Sequence, residues 1–124
     1  MTNQEVFNKV VDHLRKQNAK SIGRNPIRFH SDEEYCLYRG TNGLKCAAGC
    51  LIPDCIYEES FETGKFSAVM SRSSELNVMY QHNYHLILML QNIHDICEIK
   101  DWEVMFEITA RKFNLKFTSK ESKK

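Results

Sequence analysis

The stretch Tyr38–Asp54, reading YRGTNGLKCAAGCLIPD, limits what this chain can become more than any other. It holds three of the five glycines, one of the two prolines and two of the five cysteines. Gly40-Thr41-Asn42-Gly43 is a turn signal. The aromatic segment Tyr35–Arg39 before it predicts a short strand, and Leu44–Cys46 after it predicts the return strand. Ala47–Leu51 then predicts a short helical turn, closed by Pro53. Side chains as small as those of Ala47, Ala48 and Gly49 predict that another backbone packs directly against them. Pro53–Tyr57 reads as one more turn, with proline in its first position.

Amphipathic helices surround this stretch. Thr2 and Glu5 form a capping box, since each can satisfy the other's backbone amide. Val6, Phe7, Val10, Val11 and Leu14 follow as one apolar stripe, and Asn18 supplies a left-handed stop. Residues 19–33 read as a connection, punctuated by Gly23 and Pro26, with Ile22, Ile27 and Phe29 as apolar anchors. Gly64 breaks the chain before a short helix, Phe66–Ser71, with Phe66, Val69 and Met70 inward. Arg72–Glu75 reads as an exposed polar segment. Tyr84–Cys97 is the second long helix, with Leu86, Met89, Leu90, Ile93 and Cys97 inward, and Ile87 and Leu88 widening the stripe. Asp101 is expected to cap a third helix that runs to about Phe113. Its inner face is Trp102, Met105, Phe106, Thr109 and Phe113, with Ile108 beside it. Asn114 is expected to stop it, and Leu115 and Phe117 to fold back. The fold class is therefore α+β and mostly helical: three main helices around a small β-hairpin. Residues 1–118 read as one globular domain and 119–124 as a mobile charged tail.

Charge excludes some functions. Residues 1–60 carry eight basic and eight acidic side chains, and residues 61–124 carry nine and eight, for a net charge of +1. Nucleic-acid binding draws on a concentrated basic surface, which this pattern lacks. No apolar run approaches the roughly 20 residues of a membrane span. The first residues lack the basic and apolar regions of a signal peptide, which predicts a cytoplasmic protein. Five cysteines with no export signal predict reduced thiols.

Tyr38-Arg39-Gly40, the Gly-containing turn, Leu44-Lys45-Cys46-Ala47, Gly49–Asp54 and Tyr57 form a pattern. Leu90-Gln91, Ile93-His94-Asp95 and Trp102 continue it. Together they resemble a family of small bacterial, prophage and phage proteins, over roughly residues 35–113. The resemblance implies a phage or prophage setting in a bacterial host cell and no particular reaction, cofactor or substrate. The chain departs from the family at Cys55, where an acidic or polar residue is common, and at Phe61–Gly64, so no role is carried over to Cys55.

Three chemistries deserve weighing. Cys46, Cys50 and Cys55 are spaced C-x3-C-x4-C, with His94 and Cys97 downstream, and Cys46, Cys50 and His94 are candidate zinc ligands. On a helix, Cys46 and Cys50 share a face. On a strand they stand about 13 Å apart at the usual rise, too far for one ion. Alternatively, Cys46 at a helix start is a candidate nucleophile with His94 as its base. Adjacent helical residues point about 100° apart, so Asp95 is not expected to orient His94. The plain alternative leaves the thiols as buried filler and has His94 join the hairpin to the long helix. No C-x-x-C pair supports redox chemistry. Finally, Arg39, Thr41, Asn42 and Lys45 are candidate ligand-binding residues, able to hold an anion at an exposed turn. Tyr35, Tyr38, Tyr57, Tyr80 and Tyr84 read as a recognition surface or as walls of the core, and His82 and His85 as exposed.

The sequence reading is a small non-catalytic binding protein that takes a host protein, or sequesters a small anionic, possibly nucleotide, ligand. As a phage or prophage product it would act as an inhibitor of a host defence. The alternatives are a thiol-dependent hydrolase or transferase and a zinc-stabilised interaction module. No cofactor and no membrane partner are expected, and the oligomeric state is left open.

Overall fold

A computed structural model describes residues 1–23 and 35–119. The predicted anchors Ile27 and Phe29, and the tail from Lys120, lie outside the described residues. The described chain is mostly helical. Its helices are α1 (Asn3–Gln17), α2 (Phe66–Arg72), α3 (Ser74–Tyr80), α4 (Tyr84–Ile96) and α5 (Trp102–Lys112). Two-residue strands, β1 (Ile22–Gly23) and β2 (Tyr35–Cys36), pair antiparallel, with Ile22 opposite Cys36.

Helix α1 forms as its sequence dictates. The Glu5 amide donates to Thr2 Oγ1 at 3.1 Å, and the Thr2 amide donates to Glu5 Oε1 at 2.9 Å. Such a cap contributes about 1 kcal/mol. The five buried side chains Val6, Phe7, Val10, Val11 and Leu14 contribute about 1.5–3 kcal/mol each, so the stripe decides and the cap sets the start. Asn18 ends α1 in the left-handed region, at φ 47°. At the other end of the chain Asn114 does the same for α5, at φ 56°. There the amides of Asn114 and Leu115 return to Arg111 and Ala110, which satisfies two helix-end carbonyls. Leu115 and Phe117 then fold back onto the core, and Phe117 meets Phe7 edge to face at 6.2 Å.

Two expectations need correction. The hairpin across Gly40–Gly43 does not form. The turn is there, with the Gly40 amide donating to Leu44 O at 2.7 Å, but β2 pairs with β1 and Leu44–Cys46 is not a strand. The reason lies in the side chains that take the return arm's backbone. Gln17 Oε1 accepts from the Lys45 amide, while Gln17 Nε2 donates to Lys45 O. The segment Arg72–Glu75 is exposed as expected apart from half-buried Ser73, and a helix not foreseen starts within it: Ser73 caps α3, accepting from the Leu76 amide, and Leu76 and Tyr80 are buried. Last, the Asp101 side chain does not cap α5. Asp101 closes a 3-10 turn, Ile99–Asp101, that runs straight into the helix, and its own backbone is helical.

The core gathers α1, α4 and α5 around the segment after Cys46. Cys46, Ala47, Ala48 and Leu51 are buried with Phe7, Leu90, Ile93, Trp102 and Phe106. Gly49, in the 3-10 turn Gly49–Leu51, explains the run of small residues: a Cβ there would stand 2.2 Å from Tyr38 O. The Tyr38 backbone is the neighbour that the small side chains admit. Gly49→Ala is therefore expected to lower stability by about 3 kcal/mol, since the clash is with backbone. At about 4 °C per kcal/mol in a domain of this size, the melting temperature falls by about 12 °C. Gly43→Ala is the control: φ is +76° but no atom lies within 4 Å, so a loss near 1 kcal/mol is expected. Equal losses at the two positions would show that Gly49 is not a contact point.

Candidate functional site

The predicted centre sits where α4 meets the segment from β2 to Leu51. His94 is fully buried on α4. Its Nε2 accepts the Ser21 backbone N–H at 2.9 Å. An amide can only donate, so Nε2 carries the lone pair and the proton sits on Nδ1. That proton points at Asp95 Oδ1, 2.8 Å away. Asp95 therefore does orient His94, against expectation. Nδ1 is the ring nitrogen nearer the backbone, so the neighbouring carboxylate reaches it despite the angle between the two side chains. Gln91, one helical turn earlier, holds the same oxygen from the other side, with Nε2 donating at 2.9 Å. The Ala48 amide donates to Gln91 Oε1 at 2.8 Å, which fixes the orientation of the Gln91 amide. Trp102 stacks against the imidazole with ring centres 6.0 Å apart.

This arrangement leaves little chemistry open. A Cys–His hydrolase needs the imidazole to take the thiol proton through one nitrogen while the carboxylate holds the other. Here the sulfur nearest the ring is Cys36 Sγ, 4.0 Å from Nδ1, the same nitrogen that Asp95 occupies. The opposite nitrogen is spent on Ser21. Cys46 is fully buried and its sulfur accepts the Gly49 amide at 3.3 Å. Cys36 also receives Gln91 Nε2–H at 2.6 Å. Its thiol is pushed up strongly, first by its hydrogen bond with Cys46, then by burial and by negative charge nearby. Burial pushes Cys50 up to about 12, and Cys50 Sγ donates to Ala47 O. A protonated thiol is a poor nucleophile and a poor metal ligand.

The zinc triple is not assembled as predicted. Among the described residues, the group with all its ligand atoms within 4.8 Å of one another is Cys36, His94 and Asp95. Cys46 and Cys50 are not in it. His94 could bind an ion through Nδ1 only by moving its proton to Nε2, which would then face the Ser21 N–H proton to proton. The ring therefore does not fit a metal while the Ser21 bond stands.

The predicted ligand loop is held by its own chain. Arg39 donates from Nη1 to Asp54 Oδ1 at 2.5 Å and from Nη2 to Ile52 O at 2.7 Å. Its guanidinium lies over the Tyr57 ring, 4.6 Å from the centre. Lys45 Nζ stands 3.9 Å from the same Asp54 oxygen. The two cations proposed for an external anion thus converge on an internal one, and they hold the Asp54 carboxyl below its usual range. Thr41 and Asn42 stand exposed at the tip of the turn, with Asn42 at φ 57°.

Beneath this loop lies Glu62, which the sequence reading passed over. It is buried, and its carboxylate accepts the Tyr38 amide at 2.9 Å, the Arg39 amide at 3.0 Å and the Tyr57 hydroxyl at 2.6 Å. Ser21 was missed as well; its hydroxyl donates to Leu37 O at 2.7 Å. Glu62 falls in Phe61–Gly64, noted only as a departure from the family pattern, and Ser21 in no motif, so only the chain's return in space gives them a role. Tyr38 and Tyr80 are core walls, their hydroxyls donating to Gly64 O and Leu51 O, while His82 and His85 are exposed. Open grooves of about 340 to 500 Å³ exist elsewhere, one beside Ser67 and His85, one beside Arg15 and Phe117, one beside Ile96 and Val104. Cys46, Cys50 and His94 line none of them. No helix of the described residues is long and apolar enough to cross a membrane. No family model, curated protein or solved structure matches the chain.

Two measurements check this site. Glu62→Gln replaces one acceptor oxygen by an amide that faces donors, so a loss of about 2 kcal/mol in urea unfolding is expected. Glu59→Gln, at an exposed carboxylate, is expected to stay within about 0.5 kcal/mol, and equal effects would refute the anchor role of Glu62. Iodoacetamide at neutral pH, followed by peptide mass spectrometry, should label exposed Cys55 first and Cys36 and Cys46 last. Labelling of Cys36 or Cys46 ahead of Cys55 would mark a thiolate centre.

Proposed function

We propose that the chain is a non-catalytic binding protein that contacts a partner protein through the tip Gly40–Gly43. The observation that carries this reading is the internal commitment of His94, the one candidate base, and of two thiols near it. His94 has a partner at both ring nitrogens, and the Cys36 and Cys50 thiols are held protonated. The tip itself is built as a recognition loop usually is, exposed side chains on a fixed backbone. Gly40 and Leu44 close it, Gln17 grips Lys45, and Glu62 grips Arg39 from below. Ordering costs on binding are then small, which favours affinity.

On the strength of the resemblance to small phage and prophage proteins, we take that partner to be a cytoplasmic protein of a bacterial host. Inhibition of a host system by occupying one of its proteins is the corresponding role. This step is analogy from the resemblance. A protein partner is preferred to a small anion because an anion would have to displace Asp54 from Arg39 and Lys45.

The test uses the full chain, immobilised, against a bacterial lysate. A retained partner is expected to bind at least ten-fold more weakly to the double variant Thr41→Ala/Asn42→Gly, in which glycine keeps the left-handed backbone. The same partner should bind Glu75→Gln, an exposed position on α3, unchanged. Inorganic phosphate and ATP are expected to leave the melting temperature where it is, since a ligand that binds the native state must raise it. Binding unaffected by the tip variant would refute the contact region, and a rise with ATP would restore the sequestration reading.

A further inference from the structure

Helices α4 and α5 carry three of the exposed apolar side chains among the described residues, the others including Val78 on α3. Val104 is 58% exposed, Ile108 48% and Ile96 77%. Ile96 and Val104 line one open groove at the α4–α5 junction, with Glu98, Lys100 and Asp101 at its rim. Single exposed apolar residues need no explanation, but a run along one helix face does. Asp101, Val104, Ile108 and Arg111 follow one another at i, i+3, i+7 and i+10. At 100° per residue they fall within about 80° of one another, on the side of α5 away from buried Phe106 and Ala110.

The charges along this stripe are ordered. Asp101 stands at its start and Arg111 at its end, with two aliphatic side chains between them. A stripe with an acid, an apolar middle and a base is complementary to itself when reversed. We propose that the chain forms a two-fold symmetric dimer in which α5 packs antiparallel against α5 of a second copy. Val104 of each protomer meets Ile108 of the other, and Asp101 of each faces Arg111 of the other.

The positions agree with a two-fold axis. Val104 and Ile108 lie equally far on either side of residue 106, and so do Asp101 and Arg111. At 1.5 Å per residue the charged pairs stand about 7.5 Å from the axis, within the same contact. The remaining charges do not oppose the pairing. Glu103 is taken by Arg15 at 2.7 Å, and Lys100 by Glu98 at 3.3 Å. Glu107 lies 3.2 Å from Arg111 on its own helix, so it joins the same ion cluster at the rim. Antiparallel packing also sets the positive end of each helix dipole against the negative end of the other. An isologous contact of this kind is the commonest way a small protein self-associates. One helix face and the Ile96 end make a small interface, which places the dimer among weak, concentration-dependent ones. None of the tip residues takes part, so the inference stands or falls apart from the proposed function.

The experiment is sedimentation velocity of the full chain at concentrations from about 5 to 500 μM, in the micromolar range proper to small interfaces. A mass rising from 14.5 kDa toward twice that value is expected. Val104→Glu with Ile108→Glu should abolish the rise. Asp101→Arg alone and Arg111→Asp alone should each weaken association about five-fold or more, because each sets like charges face to face. The double reversal Asp101→Arg/Arg111→Asp should restore it to within about two-fold, a rescue that only pairing between these two positions gives. Circular dichroism melting of each variant establishes that it folds. A chain that stays monomeric throughout overturns the proposal, as does a dimer insensitive to the glutamate pair or not rescued by the double reversal.

Discussion

One backbone amide, that of Ser21, governs the chemistry of the centre. By donating to His94 Nε2 it assigns the ring proton to Nδ1, and Nδ1 has Asp95 in place to receive it. Three segments far apart in the chain are tied in this way: the end of the α1 connection, β2 through Cys36, and α4. A buried imidazole with one unpaired nitrogen would cost about 1–3 kcal/mol, so the full pairing is a condition of burying it. The same pairing removes the histidine from service as a base or a ligand. Stability and inertness have one cause here.

The wider segment follows the same logic. Tyr38–Asp54 has no strand ladder; its own turns satisfy some of its backbone amides, and side chains reaching in from elsewhere satisfy others. Gln17 takes both sides of Lys45, Gln91 takes the Ala48 amide, and Glu62 takes two consecutive amides at Tyr38 and Arg39. Each does for a loop what a neighbouring strand would do for a strand. A buried carboxylate is costly unless several donors meet it, and Glu62 has two amides and a phenol. This is why the turn at Gly40 keeps its shape although the hairpin is absent.

Periodicity made the helices legible. The Val6–Leu14 stripe, Phe66–Val69–Met70 and the Leu86–Ile93 face read correctly because burial on one side leaves a repeat in the sequence. The left-handed asparagines at 18 and 114 also read correctly, since few residues tolerate that backbone. Helix α3 was hidden because it is short, with only Leu76 and Tyr80 fully inward and apolar Val78 turned outward. The hairpin was overread: aromatic residues and a glycine turn announce strands, but the competing hydrogen bonds from Gln17 are tertiary and leave no local signal. Gly49 announced a close approach without saying to what. At the centre, Cys46 and His94 could be singled out by residue type. Asp95 was set aside on helical angle alone, and the roles of Ser21, Gln91 and Glu62 depend on contacts between 23 and 73 residues apart.

With His94 engaged at both ring nitrogens, attention passes to what the described residues leave outside. Two exposed features stand apart in kind. The tip at Thr41 and Asn42 is polar, and its backbone is fixed by bonds from three other segments. The α5 stripe is apolar with ordered charges at its ends, and it belongs to a regular helix. Polar loops on fixed frames suit a partner of different shape, while a self-complementary helix face suits a copy of itself. Were both proposals to hold, combining them would multiply effect without new contacts, because two tips on one dimer would hold a repeated or dimeric target at an effective concentration far above that of free monomers. In that arrangement weak self-association is an advantage, since the target itself completes the dimer. The requirement is geometric: the two tips must span the target together, and a tight site on either tip is not needed.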